Sequence, residues 1–143
     1  PREKDYTDTH IAIINALKAG ASDIYILGAT GTRMDHTFTN ICNMKAALDC
    51  DVPCFIYDKH NKIYLVNDHM GEVKLAKDGQ YGEYVSIVPL SEEAVISLSG
   101  FKYTLDNYVL HQGLSICQSN EIKEDEAFIK IKKGLLIVFE TKD

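Results

Sequence analysis

The chain has 143 residues, 45% of them hydrophobic, and a formal net charge of -6 at pH 7. That length and apolar share suit one compact domain, or two small ones, with a real core, and they exclude a disordered chain. The acidic balance and the lack of any Lys/Arg run argue against a general nucleic-acid binder, whose phosphate affinity comes from clustered cations.

Cys42, Cys50, Cys54 and Cys117 show no C-x-x-C pairing, and two of them fall in apolar or helical patterns. Free thiols in a reducing cytoplasm are therefore expected, rather than a zinc site or a disulfide framework. There is no run of 18 apolar residues and no signal-peptide pattern, so a soluble cytoplasmic protein with no membrane partner is the expectation. The chain opens on Pro1-Arg2-Glu3-Lys4-Asp5 without an initiator Met, and a missing N-terminal segment is expected as well.

In chain order, Ile11, Ile14 and Leu17 recur at three-residue steps and predict a helix that Gly20 stops, with Thr7, Asp8 and Thr9 as candidate N-caps. A buried strand is predicted over Ile24 to Leu27, then a polar turn from Gly28 to His36. A second helix follows from near Asp35, its apolar face made by Phe38, Ile41, Cys42, Met44, Ala47 and Leu48. Pro53 to Tyr57 reads as another strand, which completes a strand-helix-strand unit with parallel strands. Two parallel strands make too small a sheet to stand alone, so neighbouring strands are expected upstream.

From Asn61 the period changes to that of strands: Lys62 to Val66, Glu72 to Leu75, Glu83 to Val88, Ala94 to Leu98, and the region Phe128 to Phe139. Ala127 to Lys132 and Leu135 to Glu140 are predicted to form a hairpin around Lys133-Gly134. The fold expected is α/β plus all-β: residues 1–66 are the C-terminal part of an open parallel α/β domain, and residues 67–143 an antiparallel β-sandwich.

Three groups of residues carry candidate chemistry. In Lys4-Asp5-Tyr6-Thr7-Asp8, two carboxylates three residues apart at a helix entrance can share a hard cation, with the lysine available to phosphate oxygens; the competing reading is an N-cap with a solvated charge cluster. In Gly28-Ala29-Thr30-Gly31-Thr32-Arg33-Met34-Asp35-His36, two glycines allow close backbone approach and the helix start offers N–H groups. Arg33 can grip a phosphate there, and Asp35 a divalent cation. Against this, Asp35 could simply cap the helix, or pair with Arg33 on the surface. His36 reads as a general acid or base, or as a supporting hydrogen-bond partner.

The stretch is neither a Walker A loop nor a G-x-G-x-x-G turn. Together, Asp5, Asp8 and Asp35 would make a Mg²⁺ site, with Arg33 and Lys4 neutralising phosphate oxygens. The third group is Ser99 to Leu105 with Gly113 to Glu121. A Ser119-Asn120 pair there could hydrogen-bond an aminopyrimidine-like ring, although spacing alone favours a turn. Phe101, Tyr103 and Tyr108 are expected in the sandwich core.

On these residues the chain resembles the thiamin pyrophosphokinase family. The marks are Pro1 to Asp8, Gly28 to His36 with Asn40 following, Ser99-Gly100-Phe101-Lys102-Tyr103, and Ser119-Asn120-Glu121, in the family's order over nearly the whole chain. The resemblance implies ATP-dependent transfer of pyrophosphate to the thiamin hydroxyl, giving thiamin diphosphate and AMP. It also implies Mg²⁺ and a homodimer that binds thiamin in a cleft involving both domains. Asp5, Asp8 and Asp35 match positions for metal and phosphate; Lys4, Gly31, Arg33, His36 and Asn40 fall to the nucleotide, and Ser119 and Asn120 to thiamin.

The sequence departs from the family at Thr32, where a glycine is common, and in lacking an upstream Gly-Asp-x-Asp-Ser type acidic motif. A non-catalytic thiamin-binding or dimerisation fragment is the alternative, and a kinase acting on another hydroxymethyl heterocycle a weaker third.

Overall fold

The computed structural model describes residues 5–143; Lys4, with Pro1, Arg2 and Glu3, lies outside the described residues. The chain divides into two compact units, one ending at Lys59 and the other beginning at His60. The division falls ahead of the expected 66/67 boundary. The strand Asn61–Asn67 pairs residue for residue with the last strand, Leu135–Thr141, and so belongs to the second unit.

In the first unit, helix α1 spans Asp8–Lys18, and Thr7 is its N-cap, accepting from the His10 N–H at 3.2 Å. Strands β1 (Ile24–Leu27) and β2 (Cys54–Tyr57) pair in parallel, Ile24 opposite Cys54 and Leu27 opposite Tyr57. Alternation along them buries Cys54 and Ile56, whereas Tyr25 stacks on Phe55 at 5.6 Å on the opposite face.

The single helix expected from Asp35 to Leu48 is two, α2 (Met34–Asn43) and α3 (Lys45–Leu48). The backbone tightens at Met44, whose N–H bonds to the Ile41 carbonyl three residues back, a shorter step than the helical four. Ile13, Ile41, Met44 and Ala47 are buried and form the unit's core together with Cys54 and Ile56.

The second unit contains seven strands: β3 (Asn61–Asn67), β4 (Glu72–Ala76), β5 (Tyr84–Pro89), β6 (Glu93–Ser99), β7 (Leu105–His111), β8 (Glu126–Lys133) and β9 (Leu135–Thr141). β3, β9 and β5 pair antiparallel in that order, and β4, β8, β6 and β7 make a second antiparallel sheet. Leu136, Ile137 and Val138 of β9 are all within 2% of full burial, because that strand is flanked on both edges and covered on both faces. Each such side chain contributes about 1.5–3 kcal/mol by leaving water. Glu140 is also buried and is matched across the β3–β9 ladder by Lys62, 3.7 Å away.

Strand β7 has no counterpart in the sequence reading. Its polar Asp106-Asn107 pair masks the alternation, and Asn107 takes φ 45° where the β6–β7 register shifts.

The expected β8–β9 hairpin is not one. β8 pairs with β4 and β6, and β9 with β3 and β5, so the chain leaves one sheet for the other at Gly134. Gly134 takes φ 109°, and its N–H bonds to the Asp68 carboxylate at 2.9 Å. A Cβ there would lie 2.7 Å from the Ala94 Cβ and 2.9 Å from its Cα. Gly79, also at positive φ, has nothing within 4 Å of the corresponding position. Gly134→Ala is therefore expected to cost about 3 kcal/mol or more in urea unfolding, and Gly79→Ala about 1–2 kcal/mol. Equal losses would show that the backbone conformation alone matters at residue 134.

Candidate functional site

The polar turn leaves the carboxyl end of β1, where α/β sheets present their ligand sites, with Gly28 at φ 75° turning the chain. Three side chains then fix the loop. Asn40, one and a half turns into α2, donates its amide to the Ala29 carbonyl at 2.9 Å. Thr37, buried to 8% exposure, accepts from the Gly31 N–H at 3.2 Å and donates to the Arg33 carbonyl at 3.4 Å. Thr30 donates to the Asp58 carboxylate at 2.7 Å, just beyond the carboxyl end of β2.

Arg33 is the N-cap residue of α2, and its own side chain makes no capping hydrogen bond; the Asp35 carboxylate lies in the first turn. The first-turn N–H groups carry the partial positive charge of a helix start. The start of α1 is tied to the end of α2 by Asn43, which donates to the Thr7 hydroxyl at 3.1 Å.

Between these segments lies a cleft of about 650 Å³ lined by residues 6–9, 28–33, His36, Thr37 and Asn40. The two motifs that the sequence reading joined thus share one surface, and Asp8, Gly31, Arg33, His36 and Asn40 all reach it. Asp5 and Asp35 do not line it.

Asp35 is held by Arg33 instead, with Nη2 to Oδ2 at 2.6 Å and Nε to Oδ1 at 3.3 Å, and the pair is exposed, at 71% and 64% for the two side chains. The guanidinium hydrogen bond holds the Asp35 carboxyl below its ordinary pKa. Among the described residues, no group of three or more His, Cys, Asp or Glu side chains could hold a metal ion. Asp5, Asp8 and Asp35 form no such group here: Arg33 holds Asp35, and of the three only Asp8 lines the cleft.

In the second unit the Asn120 side chain, expected to meet a ligand ring, is 5% exposed and turned inward. Its Oδ1 accepts from the Tyr103 and Glu121 N–H groups, both at 3.0 Å, and its Nδ2 donates to the Tyr103 carbonyl at 2.8 Å. Ser119 is exposed, and its N–H donates to the Ser86 hydroxyl at 2.9 Å. Phe101 is in the core as expected, but Tyr103 is 60% exposed. All four cysteines are free, and burial pushes Cys54 and Cys117 up to about 11.

Family models match both parts of the chain: thiamin pyrophosphokinase, catalytic domain, over residues 1–56, and thiamin pyrophosphokinase, vitamin B1 binding domain, over residues 72–136. The chain belongs to the thiamin pyrophosphokinase family. It is 34% identical to the thiamine pyrophosphokinase of Bacillus subtilis over 99% of its own length and 65% of that protein's. With Thiamin pyrophosphokinase 1 of Caenorhabditis elegans the identity is 26%, covering 99% of this chain and 60% of the relative.

The fold matches the crystal structure of the Bacillus subtilis protein with a TM-score of 0.91 at 34% identity, covering 99% of this chain and 65% of that one. The Geobacillus thermodenitrificans structure gives 0.87 at 33% identity, covering 100% and 65%. The chain thus spans about two thirds or less of these relatives' length.

The supporting roles of Thr37 and Asp58 went unassigned in the sequence reading. The signals were a threonine four residues after the N-cap, which can bond back to the preceding turn, and an acid directly after an apolar strand. Thr37→Val keeps the shape but leaves the Gly31 N–H without its partner, so about 1–3 kcal/mol of stability should be lost in chemical unfolding; no loss would show that the bond is dispensable. Arg33→Gln should raise the Asp35 carboxyl towards the ordinary range in an NMR pH titration, with the backbone N–H groups beside it still holding it down. Because the folded pKa is depressed, the pair's contribution is present above the ordinary value and fades as pH falls through the lowered one. An unshifted Asp35 titration would rule Arg33 out as the cause.

Proposed function

We propose that the chain carries the phosphate cleft and the thiamin-binding unit of an ATP-dependent diphosphotransferase. On this reading the thiamin hydroxyl attacks the β-phosphorus of ATP, its oxygen forming the new P–O bond while the bond to the α-phosphate oxygen breaks. AMP leaves with that oxygen, thiamin diphosphate forms, and the hydroxyl proton is lost to solvent or to an unassigned base. The observation that carries the reading is the single cleft shared by the α1 entrance and the Gly28–Asn40 segment. Membership of the family supplies the substrate class.

The residues divide the work by charge and by shape. Backbone N–H groups at the α2 start face phosphate oxygens, and Thr37 and Asn40 hold the loop before it so that little reorganisation is needed at the moment of transfer. Arg33 sits at the mouth of the cleft in an exposed ion pair, and such pairs give up a partner cheaply in water. A phosphate can therefore take the guanidinium from Asp35. His36 supports the phosphates from the first turn of α2. Mg²⁺, held by Asp8 and the phosphates, would supply charge neutralisation on the transferring group.

Lys4 keeps its proposed role towards the phosphates, and Ser119 its place at the thiamin ring. A homodimer in the cytoplasm completes the reading. The exposed apolar side chains Leu114 and Ile116, in the segment before Ser119, and the free thiols support those two features.

Incubating the protein with thiamin and Mg-ATP should yield AMP and thiamin diphosphate in equal amounts; ADP with thiamin monophosphate would sink the mechanism. Arg33→Ala should lower turnover about 100-fold or more, with unchanged melting. The match of residues 72–136 to a vitamin B1 binding domain favours one second reading, a thiamin-binding module without turnover. Thiamin binding in calorimetry with no AMP released would select it.

A further inference from the structure

Ser86 and Asn120 are buried polar side chains far apart in sequence, and each gives its hydrogen bonds to the segment around Ser119 and Tyr103. The backbone of Asn120 is fully used on one side: its N–H donates to the Val85 carbonyl at 2.9 Å, and the Val85 N–H donates back at 2.8 Å. On the other side, Phe101 bridges Ile122, and the Lys102 N–H donates to the Glu121 carbonyl at 2.8 Å. The next rung of that short ladder would need a backbone N–H and C=O opposite Tyr103. The Asn120 amide supplies both in their place, meeting the Tyr103 N–H at 3.0 Å and its carbonyl at 2.8 Å. Only a carboxamide offers donor and acceptor together in that shape.

Beside it, Ser119 stands at φ 55°. The other positive-φ residues besides glycine among the described residues are Asp51 and Asn107, of types that visit this region readily. Ser119 keeps the conformation because its N–H is anchored on Ser86 while Asn120 fixes the following residue. The result is an exposed serine and a 60% exposed tyrosine, both carried on immobilised backbone.

We propose that Ser86 and Asn120 are positioning residues for thiamin, touching no ligand themselves but holding Ser119 and Tyr103 in the arrangement that receives its heteroaromatic ring. The inference rests on the thiamin-binding reading above. An exposed aromatic and a hydroxyl fixed before binding lose little freedom when a planar, polar ring docks, which is where such a clamp gains affinity.

The test is calorimetry of the protein with thiamin and, separately, with Mg-ATP, for wild type, Ser86→Ala and Asn120→Asp. Ser86→Ala removes the Ser119 anchor. Asn120→Asp keeps the acceptor for the Tyr103 N–H but loses the donor to its carbonyl. Each variant is expected to weaken thiamin binding about five- to tenfold while Mg-ATP affinity stays within twofold of wild type. A merely structural role would instead lower both affinities in step with melting temperature, and that result, or unchanged thiamin affinity in both variants, overturns the proposal. Wild-type protein that fails to bind thiamin at all would overturn the functional reading and, with it, this inference.

Discussion

Buried side chains that stand in for missing backbone partners are the constraint on which both candidate binding surfaces depend. Loops that leave a sheet to meet a ligand strip their own N–H and C=O groups of ladder partners, and an unpaired buried group is costly. The first unit answers with Asn40 on the Ala29 carbonyl and Thr37 on the Gly31 N–H. The second answers with Asn120 on Tyr103 and Ser86 on Ser119. Thr37, Ser86 and Asn120 are three of the four buried polar or charged residues among those described, the fourth being Glu140. Those three are spent on candidate ligand loops, whereas Glu140 meets Lys62 within the β3–β9 ladder.

Charge is handled in the opposite way. Arg33 and Asp35 lie in water, where their attraction is screened and easily exchanged. A rigid backbone cradle with a mobile cation at its rim suits phosphate capture: the cradle sets the geometry, and the arginine adapts to a transferring group whose charge shifts during reaction. Had Asp35 pointed into the cleft as a cation ligand, Arg33 would have lost its resting partner and the loop its neutral balance.

Much of this was legible in the chain itself. Period-2 and period-3.6 patterns located the first-unit strands and helices, and the two glycines with Arg33 marked the turn that lines the cleft. Long-range pairing was not legible. Lys133-Gly134 reads as a hairpin turn because local sequence cannot say that β8 and β9 belong to different sheets; the Ala94 contact that demands glycine there lies 40 residues away. Strand β7 was hidden by Asp106-Asn107, whose positive φ and bulge break the alternation.

Side-chain direction was likewise out of reach. Asn120 sits in a motif of polar residues that suggests ligand contact, yet its amide is consumed by Tyr103. Asp35 and Asp8 look equivalent in sequence, but Asp8 lines the cleft and Asp35 pairs with Arg33. Resemblance to the family placed all these residues near substrates without separating those that touch from those that hold.

The central claim is that nucleotide phosphates bind on the α1 entrance and the Gly28–Asn40 segment. Backbone amide NMR during titration with Mg-ATP tests it most directly. The account predicts that shifts concentrate at residues 6–9 and at Ala29, Gly31, His36 and Thr37, with the amides around Ser119 and Tyr103 unmoved until thiamin is added. Mg-ATP shifts centred on the second unit, or none at Gly31 and His36, would contradict it.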